Sequence, residues 1–188
     1  MSSFLEPFLS ESLAVQSSLG PLLPAIQTLG DRLVSTLQSG GKLLTCGNGG
    51  SAADAQHMTE ELVGRYNKNR RSLPGIALTA DSQALTCIAN DYGYDAVFSR
   101  QIEGLGSKGD LLVVFSTSGQ SPSIVKALQA GRSAGLLTAA LLGKDGGTCR
   151  GLSDLEIIIP SQNTARIQEA HTFILHCVLE IVDRVYVP

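Results

Sequence analysis

Tryptophan is absent from the 188 residues, and aromatic residues as a whole make up only 5% of them. A core without large rings must be filled by aliphatic and small side chains, and 20 glycines are available for close backbone approach. That balance suits helices lying tightly on a sheet. Paired cysteines are also lacking. Cys46, Cys87, Cys149 and Cys177 are widely spaced and form no C-x-x-C, which argues against a thiolate zinc site or a disulfide framework and for buried apolar thiols. No run approaches the roughly 20 apolar residues that span a bilayer. The opening MSSFLEPFLSESLAVQ has neither the basic start nor the unbroken apolar stretch of a secretory signal. Excess positive charge is missing as well: a net charge of −3 leaves no footprint for nucleic acid. The expectation is a protein of the reducing cytoplasm, with neither nucleic acid nor membrane as a partner.

What is present points to a globular chain rather than a disordered one. Apolar residues are 43% and charged residues 16% of a chain long enough to bury a core without staples. We read it as a single domain over 1–188, with leading helices over 1–40 and an α/β core over 41–188. In the leading part Phe4, Phe8 and Leu9 begin one apolar stripe, and Ile26, Leu29, Leu33 and Leu37 recur at helical spacing. These helices exceed what one face of a small sheet needs, so packing against another subunit and ordinary covering helices are equally open. From Lys42 onward, short apolar runs alternate with helical ones. The predicted strands are Leu43–Cys46, Ile76–Thr79, Leu111–Phe115, Leu137–Leu142 and Leu155–Ile159. Helices are predicted near Ala52–Tyr66, Ser82–Asn90, Ala96–Leu105 and Ser121–Ala134, with a last one from Thr164 to Val185. Continuously apolar strands are covered on both faces, and strand–helix alternation implies right-handed parallel crossovers. The fold class is therefore α/β: a doubly wound, mainly parallel five-stranded sheet flanked by helices. In such sheets ligands bind at the carboxyl ends of the strands.

Two of those ends look alike. Leu43–Cys46 runs into Gly47-Asn48-Gly49-Gly50-Ser51 and then a helix start. Leu111–Phe115 runs into Ser116-Thr117-Ser118-Gly119-Gln120-Ser121-Pro122 and then another. Glycines allow close approach, helix N-termini offer free N–H groups, and hydroxyls add donors for phosphate oxygens. Ser121 before Pro122 also fits an N-cap with proline in the first turn. One such loop is commonly just a turn with a cap; two in one sheet favour a ligand. Neither G-x-x-x-x-G-K-[ST] nor G-x-G-x-x-G occurs, so the expected ligand carries phosphate without a nucleotide.

The segments CGNGGSAADAQH, EELVGRY, ANDYGY, FSRQ, STSGQSP, GKDGG and ARIQEAH, in that order from Gly40 to the C-terminus, resemble the phosphoheptose isomerase branch of the sugar isomerase (SIS) domain family. The leading helices fit that layout without a motif of their own. The resemblance implies the SIS fold, a homotetramer with sites near subunit contacts, and binding of a sugar phosphate. It implies that Asn48, Gly49, Gly50 and Ser51, with Asn90 and Asp91, hold sugar hydroxyls. Ser116, Thr117, Ser118 and Ser121 would take the phosphate. Asn90-Asp91-Tyr92-Gly93 also has the composition of a plain turn. Gly143-Lys144-Asp145-Gly146-Gly147 carries no assigned chemistry.

Residues alone leave the reactive groups open. His57 and Glu61 are four apart on one helix and share a face, about 40° apart, yet such a pair is more often a surface ion pair. On the last helix, Glu169 lies on the face of His176 better than Gln168 does, and His171 is an equal candidate. The resemblance implies instead that His57, Glu61, Gln168 and His176 surround one zinc ion per subunit, a donor set of acceptable chemistry. Such an ion could act in the reaction or lock the two helices together. Glu61 is then expected to act as base and His176 as acid in moving a proton between C1 and C2 through an enediol. Gln168 would also touch substrate, and Arg65 is a further contact or an exposed helix-end arginine.

The implied reaction turns sedoheptulose 7-phosphate into D-glycero-D-manno-heptose 7-phosphate, the first step toward heptose precursors. Other readings remain open: isomerisation of another sugar phosphate, a sugar-phosphate sensor, or a non-catalytic relative that binds the bacterial replication initiator. Those last relatives replace the acid and base positions, whereas this chain keeps Glu61 and His176.

Overall fold

Strand β3 (Leu111–Ser116) shows why this chain forms a covered sheet. All of its residues are buried; Leu111, Val113 and Phe115 enter one hydrophobic core while Leu112 and Val114 enter a second on the opposite face. The computed structural model describes residues 4–187. The first three residues of the N-terminal reading, and the last residue of the 1–188 span, lie outside the described residues.

The chain runs α1 (Glu6–Ser17), α2 (Leu23–Gln38), β1 (Leu43–Gly47), α3 (Gly50–Val63), β2 (Gly75–Ala77), α4 (Ser82–Tyr92), α5 (Ser99–Leu105), β3, α6 (Pro122–Ser133), β4 (Leu137–Gly143), β5 (Leu155–Ile159) and α7 (Thr164–Tyr186). All pairings are parallel, in the order β2-β1-β3-β4-β5. One core joins α1, α2, α3 and α7 to the sheet through residues such as Leu33, Met58, Phe115 and Ile174. The other joins α5 and α6, with the half-buried face of α4, through Phe98, Ile102, Val114 and Leu128.

This is the doubly wound α/β sheet expected from the sequence, and β5 has its predicted limits. β2 is displaced and shorter, because the chain turns at its end: the Ala80 N–H donates back to the Ala77 carbonyl at 3.0 Å. α3 begins earlier and ends at Val63 instead of Tyr66, because Gly64 leaves the helical conformation (φ −80°, ψ −110°). α5 starts at Ser99, after a separate 3₁₀ turn at Tyr94–Ala96. Among the described residues no helix is long and apolar enough to cross a membrane.

β1 lies between β2 and β3, so the chain winds one way from β1 to β2 and the other way from β3 onward. The carboxyl ends of β1 and β3 flank that reversal, with Gly47 opposite Phe115. A crevice for a ligand opens at such a switch point.

Candidate active site

The crevice is real and polar. A cavity of about 200 Å³ is lined by Asn48, Ser51, Phe115, Ser116, Thr117, Ser118 and Ser121. Ser116 Oγ accepts from the Gly119 N–H at 3.0 Å, and Ser118 Oγ accepts from the Gln120 N–H at 3.2 Å. With their oxygens engaged this way, both hydroxyls keep a proton to donate. Ser121 occupies the N-cap position of α6 with Pro122 next, but its hydroxyl makes no capping bond. Among the described residues no lysine or arginine lines the cavity, so an anion there would be held by neutral donors and the N-terminal dipole of α6.

The β1 and β3 loops are tied together. Asn48 Nδ2 donates to Ser123 Oγ at 2.9 Å, and Tyr94 donates its phenolic proton to Asn48 Oδ1 at 2.8 Å. Tyr94 escaped the sequence reading, although ANDYGY contains it. Asn90 and Asp91 form the last turn of α4, not a free turn; both are exposed, and Asn90 Nδ2 donates to Asp91 Oδ1 at 2.7 Å.

α3 begins beside the first loop and faces α7. A Cβ on Gly50 would overlap the amide of Gln168, so glycine is what lets α7 seat that amide over the first turn of α3. Further along, Glu61 Oε1 lies 3.4 Å from His57 Nε2, and His176 Nε2 lies 3.5 Å from His57 Nε2. The two imidazoles meet edge to face, with centroids 5.0 Å apart, and the Tyr66 ring lies 5.6 Å from His176. Burial first, then the neighbouring His57, holds the His176 imidazole below its ordinary pKa, while Glu61 pulls it partly back.

A His57 nitrogen this close to both a carboxylate and a second imidazole suits a cation. Ligands on a tetrahedral zinc at about 2.0–2.1 Å lie about 3.4 Å from one another, which is close to both separations here. The ligand atoms of His57, Glu60 and Glu61 all lie within 4.8 Å of one another, and Glu60 was not anticipated; His176 joins them through its approach to His57. Asp54 was also missed. It is buried, accepts from the Thr172 hydroxyl at 3.0 Å, and leaves its second oxygen without a protein partner. Burial raises its pKa, against the Thr172 hydrogen bond and nearby His57.

Two candidates on α7 take other duties. Glu169, favoured by helical geometry, accepts from Ser12 Oγ at 2.7 Å and pairs with Arg166, joining α1 to α7. His171 is wholly buried against Phe115, with Nε2 3.3 Å from the Leu142 carbonyl oxygen. Arg65 is exposed beyond the end of α3.

Burial pushes the His171 pKa from 6.5 down to about 4, against the hydrogen bond to Leu142. The folded protein therefore holds it neutral where the unfolded chain protonates. That contribution to stability is complete above pH 6.5 and is lost as the pH falls toward 4. The loss is at most about 1.4 kcal/mol per pH unit. Urea midpoints at pH 7 and pH 5 should diverge more for wild type than for His171→Leu; equal slopes would remove His171 as the cause.

The SIS domain family model matches residues 8–143. The phosphoheptose isomerase of Aliarcobacter butzleri is 47% identical over 182 residues, covering 97% of this chain and 96% of that protein. That of Roseiflexus sp. is 52% identical over 161 residues, covering 86% and 82%. The structure of a phosphoheptose isomerase from Francisella tularensis superposes with a TM-score of 0.94 at 36% identity, covering 98% of this chain and all of that one.

Proposed function

The chain belongs to the SIS domain family and within it to the phosphoheptose isomerases, and from that premise we propose that it converts sedoheptulose 7-phosphate to D-glycero-D-manno-heptose 7-phosphate. The observation that carries this reading is that α3 links the two parts: its first turn supplies Ser51 to the hydroxyl-lined cavity, and further along it carries His57 and Glu61, with His176 of α7 against His57.

In this reading the phosphate enters between Ser116, Thr117, Ser118 and Ser121, where donors are neutral and preorganised. Asn48, Gly49, Gly50 and Ser51, with Asn90, Asp91 and Gln168, meet the sugar hydroxyls. Asn48 is suited to this because Tyr94 and Ser123 fix its amide plane. The carboxylate of Glu61 takes the proton from carbon, and His176 supplies a proton to the adjacent oxygen, so keto and aldo forms exchange through an enediol. His57, Glu61, Gln168 and His176 would hold one zinc ion per subunit; when bound it supplies Lewis-acid stabilisation of negative charge on oxygen. The His57 nitrogen, at ligand-to-ligand spacing from both the Glu61 carboxylate and the His176 imidazole, supports that donor set, to which Glu60 is adjacent.

The protein is read as one cytoplasmic domain that works as a homotetramer. The exposed Phe4, Leu5, Leu9 and Leu13 of the leading segment are an apolar face that self-association would cover.

The test is to incubate the purified protein with sedoheptulose 7-phosphate, with zinc and after chelation, following aldoheptose phosphate by NMR. Product formation establishes the reaction, and its loss on chelation adds the metal. A folded, zinc-loaded protein that forms no aldose from this ketose refutes the substrate assignment.

A further inference from the structure

Arg70 is a buried cation that the proposed chemistry leaves unused. Its side chain has no exposed surface, and it pairs with Asp183, whose side chain is 8% exposed. Arg70 Nε donates to Asp183 Oδ1 at 2.9 Å. Nη2 donates to the Glu61 carbonyl at 2.7 Å, and Nη1 donates to the carbonyls of Leu62 at 2.9 Å and Arg71 at 3.1 Å. The other oxygen of Asp183 accepts from the N–H groups of Asn67 at 3.1 Å and Lys68 at 3.4 Å.

Such a pair contributes little net stability, because desolvation offsets much of the attraction. What it contributes is position. The last four carbonyls of a helix have no partner within it, and with α3 ending at Val63 those of Glu61 and Leu62 belong to that set. Both receive a rigid, planar fork instead of mobile water, and Leu62 accepts in addition from the Leu73 N–H at 3.0 Å. Asp183, at the other end of the fork, sits on α7, which also carries Gln168 and His176. The clamp therefore crosses between the two helices whose facing side chains form the site.

We propose that Arg70 and Asp183 are positioning residues for Glu61, fixing the last turn of α3 against α7 so that its carboxylate keeps its place opposite His176. The proposal rests on the reading of Glu61 as the base. Lysine cannot substitute for Arg70, because a single ammonium does not reach two carbonyls and a carboxylate in one plane.

The experiment compares wild type, Arg70→Lys and the apolar double variant Arg70→Met/Asp183→Leu. It measures thermal stability, kcat and KM with the ketose phosphate under saturating zinc, and the crystal structure of each variant. The double variant removes both charges together, so it is expected to fold. Its kcat should nevertheless drop about 10- to 100-fold through a displacement of Glu61 on the order of 1 Å, with KM little changed. Arg70→Lys should show the same kcat loss. A folded double variant with wild-type kcat overturns the proposal; if that variant does not fold, wild-type kcat in Arg70→Lys overturns it instead. If the wild-type protein turns over no sugar phosphate, the functional reading is what fails. The crystal structures then judge the clamp, and an unmoved Glu61 in the variants rejects it.

Discussion

Glu61→Gln should lower kcat by about 10²- to 10⁴-fold, the range expected when a positioned general base is removed. Glutamine has the shape of glutamate, and the Glu61 carbonyl that receives Arg70 is untouched, so the last turn of α3 should stay in place. What disappears is the proposed proton acceptor, on a side chain only 18% exposed. An amide has no useful basicity at neutral pH, so bound substrate should be held with its C–H bond intact. Because Glu61 also stands within 3.4 Å of His57 Nε2, the same change should weaken the proposed zinc site. The two roles separate on titration with zinc. A lost ligand is compensated at high metal concentration, whereas a lost base is not. Turnover that persists in the variant, or that saturating zinc restores, would show that another group takes the proton.

The layered sheet was legible in the sequence because a strand buried on both faces must be apolar at every position, and β1, β3, β4 and β5 are nearly so. The paired loops were legible because glycine and hydroxyl residues cluster at two strand ends of one sheet, where the structure opens a cavity lined by the hydroxyl residues. Helical periodicity alone could not choose between Gln168 and Glu169, or recognise that His171 is a core residue. Side-chain angle around a helix says which residues share a face, but not what lies against it. Glu169 proved to face α1, and His171 the underside of the sheet. Arg70, Tyr94 and Asp54 were invisible for a related reason. Each acts through a partner far away in sequence: Asp183, Asn48 and Thr172 respectively. The loop Gly143–Gly147, to which the sequence assigned no chemistry, is the floor on which the hydroxyl loop rests: a Cβ on Gly147 would overlap the backbone of Ser118 and Gly119.

That support predicts a large effect of Gly119→Ala on both stability and binding. Gly119 lies at φ +63°, and an added Cβ would overlap the carbonyl of Gly146, so the change meets backbone strain and a backbone collision together. The left-handed conformation costs an alanine about 1–2 kcal/mol and the collision about 1–3 more. Melting should fall by about 10 °C in a chain of this size. The damage cannot remain local. The Gly119 carbonyl accepts from the Cys149 N–H at 2.9 Å and from Thr148 Oγ1 at 3.1 Å, while its N–H donates to Ser116 Oγ. Moving it shifts Ser116 and Ser118 from the cavity wall, and KM for the sugar phosphate should rise about tenfold or more, a loss of about 1.4 kcal/mol. Gly151→Ala supplies the control: its φ is +80°, but its added Cβ meets nothing within 4 Å, so only the conformational cost applies. A melting loss in Gly119→Ala no larger than in Gly151→Ala would mean that the two loops separate without penalty. An unchanged KM would mean that phosphate does not rely on these hydroxyls. If both effects appear, the binding loop owes its shape to a neighbouring strand's loop, and a residue with no chemistry of its own governs where the phosphate sits.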